Sequence, residues 1–242
     1  MLVVITIIGL MAAVALPHLP GMTKANTMTT ALQQMLADCA LARQLAMSHR
    51  STVYMVFVPP YSPAAWPGPP ATEGTSYNTL LAHQYGAYAL VSLRSVGDQP
   101  GRPYPQYLTE WRALPAGVFI ATNKFTGTMP FTASSTNTLT GTFSVFTIYP
   151  FPNNLAFPFP AADAVGTPAS LPYIGFSPLG QLTTNRDEYI PLDRGSVLYP
   201  VGSGAVPATP IETPAGNAVN DCNIIHIDWL TARAKIERNQ QR

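Results

Sequence analysis

The sequence predicts an α+β protein: one long N-terminal α-helix packed on an antiparallel β-sheet domain with long proline-rich loops. Three observations predict it. The chain opens on an apolar run, MLVVITIIGLMAAVALP at 1–17, and then shows apolar residues at helical spacing to about residue 49. From residue 51 onward, short β-branched and aromatic runs recur, bounded by proline and glycine. The 25 prolines among 242 residues are about twice the usual share of about 5%, and proline cannot donate to a helix ladder or a central strand.

Composition narrows the function classes. Charged residues make up 10% of the chain, against roughly 25% in an ordinary soluble domain, while 47% is hydrophobic. The formal net charge of +1 provides no global field for nucleic acid or anionic lipid. Cys39 and Cys222 fit neither a disulfide-dense scaffold nor a metal site. They form one long-range disulfide in an oxidising compartment or remain two buried free thiols, and the second reading is the simpler.

No charge precedes Lys24, and the opening run can be read three ways. A spanning helix needs about 20 apolar residues at about 1.5 Å of rise each. Residues 1–16 are slightly short of that, and Pro17, Pro20 and Gly21 break the uncharged run up to Thr23. A signal peptide fits the length, and Ala13-Val14-Ala15 offers a small-x-small cleavage site, but no Lys or Arg opens it. A buried core helix fits poorly, because β-branched residues crowd the first eight positions and no polar face appears. A membrane helix whose first turns lie upstream accounts best for the missing flank. Leu2, Val3, Val4, Ile5, Ile7, Ile8, Leu10, Val14 and Leu16 then anchor the chain and pack it against neighbouring subunits. Pro17 and Pro20 break the helix, each removing a backbone donor.

Helical periodicity resumes over 22–49. Leu32, Met35, Leu36, Cys39, Ala42 and Ala46 recur at three and four, giving one apolar face. Leu32, Met35, Leu36 and Cys39 are expected to hold helix to sheet, while Gln34, Asp38, Arg43 and His49 lie largely off the stripe. The chain thus divides into a membrane and filament-core part at 1–21, an amphipathic helix at 22–50 and a β-rich domain at 51–242.

STVYMVFV at 51–58 is the first strand, closed by Pro59-Pro60. Further strands are expected at Tyr85–Leu93, Gly117–Thr122, Thr142–Tyr149, Tyr173–Phe176, Glu188–Leu192 and Asn223–Trp229. Proline-rich, irregular loops are expected at 59–79, 97–105, 150–172 and 200–216. They are long for a compact domain, where most connections run about 4–6 residues.

These stretches carry a resemblance. LVVITIIGLMAAVALP resembles the N-terminal helix of type IV pilins and pseudopilins over Leu2–Pro17, including Gly9, the Ala12-Ala13 pair and the proline. LADCALARQLAMSHRSTVYMVF resembles the GspH/FimT branch of minor pseudopilins, where a helix carrying an Ala-Arg pair, here Ala42-Arg43, turns directly into the first strand. WRALPAGVFIAT at 111–122, YIGFSPLGQLT at 173–183 and IIHIDWLTARAKI at 224–236 resemble later pieces of the same branch. In the last, the family turn is commonly Thr-Gly-Arg; here it reads Thr231-Ala232-Arg233, and alanine resists positive φ.

The resemblance implies a pilin-like fold and a structural subunit of a type II secretion pseudopilus or a type IV pilus. It implies other pilins or pseudopilins, the inner-membrane assembly platform and the inner membrane as partners. The implied location is a single pass through the bacterial inner membrane, with the globular domain in the periplasm. It also implies a leader, cleavage glycine, aromatic residue and glutamate upstream of Met1, and processing by the prepilin peptidase if the true start lies there.

Catalytic constellations are not legible. His18, His49, His83 and His226 are scattered and form no H-E-x-x-H or His-x-His pattern. His226 alternates with Ile225 and Ile227 and is expected to face solvent from a strand. Asp187 and Glu188 point to opposite faces and form no acid/base couple, and Asp193-Arg194-Gly195-Ser196 reads as a turn. Asp221 and Asp228 are too isolated for a calcium loop. The expectation is a protein without cofactor or metal that is not an enzyme.

Two rival functions remain. One is a Sec-exported soluble β-domain released after Ala15. The other is a DNA-capturing pilus component in which Arg233, Lys235, Arg238 and Arg242 of RAKIERNQQR contact phosphates. No aromatic residue interleaves with those four charges to stack bases, so a solvated terminus is the plainer reading of them.

Overall fold

The computed structural model describes residues 19–63, 66, 74–95, 98, 104–126, 131–137, 141–162, 168–200, 205–217 and 223–238. Leu2–Leu16 and Pro17, assigned above to anchoring and helix breaking, lie outside them, as does Cys222. Among the described residues, no helix is long and apolar enough to cross a membrane.

Helix α1 runs over Leu19–His49. The sequence suggested a start at 22, after a break at Pro20; the described helix already includes Pro20 and Gly21. The far end closes through Arg50, whose φ of 50° is left-handed, and Ser51 N–H donates to the Ala46 carbonyl at 3.3 Å. That closure reverses the chain straight into β1 (Val53–Phe57).

Two antiparallel sheets lie under α1. In the first, β1 is flanked by β2 (Ala87–Ser92) and β10 (Tyr173–Phe176), and β2 also pairs with β3 (Gln106–Tyr107) and β4 (Arg112–Ala113). In the second, β11 (Glu188–Leu198) lies between β12 (Thr209–Glu212) and β13 (Asn223–Ile227), and β14 (Ala234–Arg238) pairs with β13. Strand β5 (Val118–Ile120) pairs with β11, and its Ile120 N–H donates to the Tyr85 carbonyl beside the first sheet at 2.8 Å. Leu182 bridges Phe176 and donates to the Trp229 carbonyl at 2.8 Å, which ties the sheets together a second time.

The main core fills the space between α1 and both sheets. Met28, Leu32, Met35, Cys39, Ala42 and Ala46 face Met55, Phe57, Leu90, Ile174, Ile190 and Ile225. Period-2 alternation presents the sheet side and 3.6-periodicity the helix side.

The proline-rich stretches are more structured than the sequence suggests. Helix α2 (Gly74–Ala82) occupies the end of 59–79, β8 (Ala156–Phe157) and β9 (Ala169–Ser170) form a ribbon inside 150–172, and β12 lies inside 200–216. The reason is apolar content. Trp66, Tyr77, Leu81, Phe157 and Phe159 bury themselves against Val56, Ala89 and Val91, building a second core on the far face of the first sheet. Rings meet there edge-on, as with Trp66 and Tyr77 at 5.4 Å.

The sequence also placed a turn at Asp193–Ser196, and those residues instead continue β11. Gly195 makes this workable: its φ is 155°, and a Cβ there would collide with the Ile211 carbonyl oxygen on β12. A short helix α3 (Asn123–Thr126) follows β5, and a separate hairpin is built from β6 (Phe131–Asn137) and β7 (Gly141–Ile148).

Candidate functional site

The helix–sheet interface is built from the expected residues and from others that sequence reasoning set aside. Leu32, Met35 and Cys39 are buried, and Leu36 packs partly buried against the same core. Burial, with the nearby Asp38 charge adding to it, pushes the Cys39 thiol up to about 12, so it stays protonated and unreactive. It is a free cysteine.

Asp38 is the residue the stripe missed. It lies three residues after Met35 and four before Ala42, on the core face, and is 3% exposed. Its Oδ2 accepts from the Tyr88 hydroxyl at 2.7 Å, and its Oδ1 pairs with Arg112. Gln34 donates to the Tyr88 oxygen at 3.0 Å and to the Ala113 carbonyl at 3.1 Å. One polar clamp thus joins α1 to β2 and β4. Burial, helped by the Asp38 carboxylate, drives the Tyr88 phenol far above its ordinary range, so it remains a donor. The spacing held the signal for Asp38, since a buried charge belongs on a core face only when partnered.

At the other end of α1, Arg43 Nε donates to the Thr231 carbonyl at 2.7 Å in the β13–β14 turn. That turn accepts an alanine in the left-handed region after all: Ala232 has φ 47° and is buried. Its cost is offset by Asp228, which accepts from the Thr231 backbone and hydroxyl, both at 2.7 Å. These bonds hold the Asp228 carboxyl below its usual range. Leu179, Trp229 and Leu230 lie exposed beside this latch, with Met47 against Gly180.

Four more buried acidic or basic side chains lie elsewhere among the described residues: Lys124, Glu188, His226 and Asp193. Lys124 on α3 is fully buried; its Nζ donates to Glu188 Oε2 and to the Tyr149 carbonyl, both at 2.7 Å, and sits 4.7 Å from the Phe151 ring centre. Burial lowers the Lys124 pKa, opposed by the Glu188 carboxylate. His226 is not solvent-facing as the alternation suggested. Its Nδ1 lies 2.8 Å from Glu237 Oε1 and its Nε2 3.1 Å from Asp187 Oδ2, and its ring stacks on Tyr189 at 4.5 Å. The carboxylates of flanking segments fold across that face and cover it. They approach opposite edges of the ring, so one metal ion cannot take both with the imidazole. Asp193 is fully buried, and neither carboxylate oxygen has a hydrogen-bond partner.

Of the four basic residues at the C-terminal end, Arg233 and Lys235 are exposed, and Lys235 Nζ bridges Glu237 at 2.9 Å. The Arg238 side chain and Arg242 lie outside the described residues. Among the described residues no group of three His, Cys, Asp or Glu is placed to hold a metal ion. A groove of about 330 Å3 lies where the 83–86 turn and the 113–117 segment meet β5 and β11, and His83 is the one titratable side chain on its wall. What the described residues present on α1 is an apolar helix face fixed by a polar clamp and a turn latch.

No family model matches the sequence, and no curated protein matches it. Among solved structures, the type IV minor pilin FimU of Pseudomonas aeruginosa strain PAO1 is similar over 90% of this chain and 93% of that one. The identity is 9% and the TM-score 0.38, a likeness too loose to carry an inference.

Proposed function

We propose that the chain is a structural subunit of the minor pseudopilin kind, with a pilin-like fold, working in a type II secretion pseudopilus or a type IV pilus. One observation carries the reading: an apolar run at 1–16 stands in the sequence ahead of a 31-residue helix, Leu19–His49, which is fastened along one face to antiparallel sheets. Met28 to Ala46 are committed to the core, so Leu2, Val3, Val4, Ile5, Ile7, Ile8, Leu10, Val14 and Leu16 are left for lipid and for neighbouring subunits. A segment apolar all round can leave a bilayer for a bundle of like helices at little cost, because packing replaces lipid contact.

In this reading the subunit waits in the bacterial inner membrane with its β-domain in the periplasm, the assembly platform extracts it, and other pilins or pseudopilins receive it. Catalysis has no part in the role. The DNA-capturing alternative gains nothing from the Lys235–Glu237 bridge, which already commits one of its cations.

The test is cross-linking in producing cells with single cysteines, Ile7→Cys and Val14→Cys, in a Cys222→Ser background. Cys39 stays silent because its thiol is buried and protonated. Ladders joining the chain to other pilin-like subunits are expected. Monomer alone from both positions would remove the proposal.

A further inference from the structure

Asp193 sits in the middle of β11, opposite Phe119 of β5 in the strand register. It is fully buried and both of its carboxylate oxygens lack partners. An ionised carboxylate in that position would be severely penalised, so burial favours the protonated acid. The charged and titratable groups around it reinforce this. From β12, Glu212 lies across from Gly195, two residues along β11 and on the Asp193 face, and its charge opposes ionisation. On β5 the register sets Phe119 opposite Asp193, and Phe119 packs with Tyr85 and the partly buried Tyr199. Tyr85, packed on Phe119, keeps its proton because burial pushes its phenol up. Arg194 points to the opposite face by strand alternation.

Slack is not available in the backbone either. Gly195 N–H donates to the Gly117 carbonyl at 3.0 Å, and Thr213 N–H donates to the Arg194 carbonyl at 2.9 Å. The carboxyl is therefore pinned inside a three-strand seam, and that seam also forms one wall of the 330 Å3 groove.

We infer that Asp193 makes the seam of β5, β11 and β12 a pH-responsive joint, closed while the carboxyl holds its proton and loosened as the pH rises toward neutrality. Burial, with Glu212 adding to it, raises the Asp193 pKa from 3.8 to about 7. The closed seam thus binds the proton more tightly than an opened, hydrated one. Raising the pH from about 4 to about 7 favours opening by up to tenfold per pH unit, and the effect levels off above 7.

The experiment is amide hydrogen exchange on the full chain across pH 4 to 8, after correction for intrinsic exchange, comparing wild type with Asp193→Asn and Glu212→Gln. Protection of β5 and β12 amides relative to β1 is expected to fall by on the order of 10^2 to 10^3 in the wild type. Asp193→Asn should keep the ratio flat, and Glu212→Gln, which lowers only the closed-state pKa, should make the fall smaller and end it at a lower pH. The same slope in wild type and Asp193→Asn would overturn the inference. Should Asp193→Asn not fold, the wild-type Asp193 carboxyl carbon, followed by NMR, decides: titration near 4 overturns the inference, and titration near 7 supports it.

Discussion

Asp38 and Glu237 show how a carboxylate is tolerated at two depths. Asp38 is held by the Tyr88 hydroxyl and Arg112, so removing one partner leaves a buried charge short of a bond. Tyr88→Phe is expected to lower stability by about 1–3 kcal/mol, measured by urea unfolding, with little change in shape. Glu237 is shallower. Burial would raise its carboxyl pKa, but hydrogen bonds from Lys235 and His226 outweigh burial and set it below the usual range. The sign follows directly: a lowered pKa contributes stability above the ordinary carboxyl range, and that stability is lost as the pH falls through the folded value. Amides of β13 and β14 should accordingly lose exchange protection in acid, and Glu237→Gln should flatten that loss. Asp193 has the opposite sign, so the two ends of the second sheet respond to acid in opposite directions. At Gly195 the argument is steric. Gly195→Ala meets the Ile211 carbonyl and a positive φ, so β12 should detach or shift, read as lost protection confined to Thr209–Glu212.

At the scale of elements, α1 is secured by shape and α3 by charge. Met35 is fully buried and Leu36 only partly, so Met35→Ala should cost about 2–5 kcal/mol and Leu36→Ala clearly less in the same unfolding assay. Lys124 and Glu188 form a buried pair in which each compensates the other. Glu188→Gln alone should cost about 3–5 kcal/mol, and replacing both residues with apolar side chains of similar volume should recover most of it. Elements were legible where local pattern and final environment agree. The 3–4 stripe of α1 and the β-branched run at 53–57 announce themselves, and Tyr173–Phe176 was placed to the residue. Elements held by distant partners were not. The 59–79 stretch conceals α2 because its helix is stabilised by Tyr77 and Leu81 docking on a sheet face that local composition does not display. β11 runs six residues past its expected end because Gly195 makes a close strand approach where the sequence suggests a turn. His226 misled for a related reason: alternation gives the face but not what covers it.

Among the described residues, the two five-stranded sheets, the long helix α1 and the two larger cores divide the labour. The first core fastens α1 across both sheets, and the second turns proline-rich connections into a packed layer behind the first sheet. The architecture of helix on antiparallel sheet could be read from periodicity, whereas the polar clamp at Asp38 and the latch at Arg43 required the tertiary structure. Both hold the sheets against the helix. The central claim of the proposed function concerns where the chain goes when residues 1–16 are present. The most direct measurement is mass spectrometry of filaments sheared from producing cells, comparing the full chain with a variant lacking residues 1–16. The account predicts peptides from the β-domain in the filament fraction for the full chain and their loss for the shortened one, with the shortened protein still folded. Full-length chain absent from filaments, or the shortened chain present in them at the same level, would contradict it.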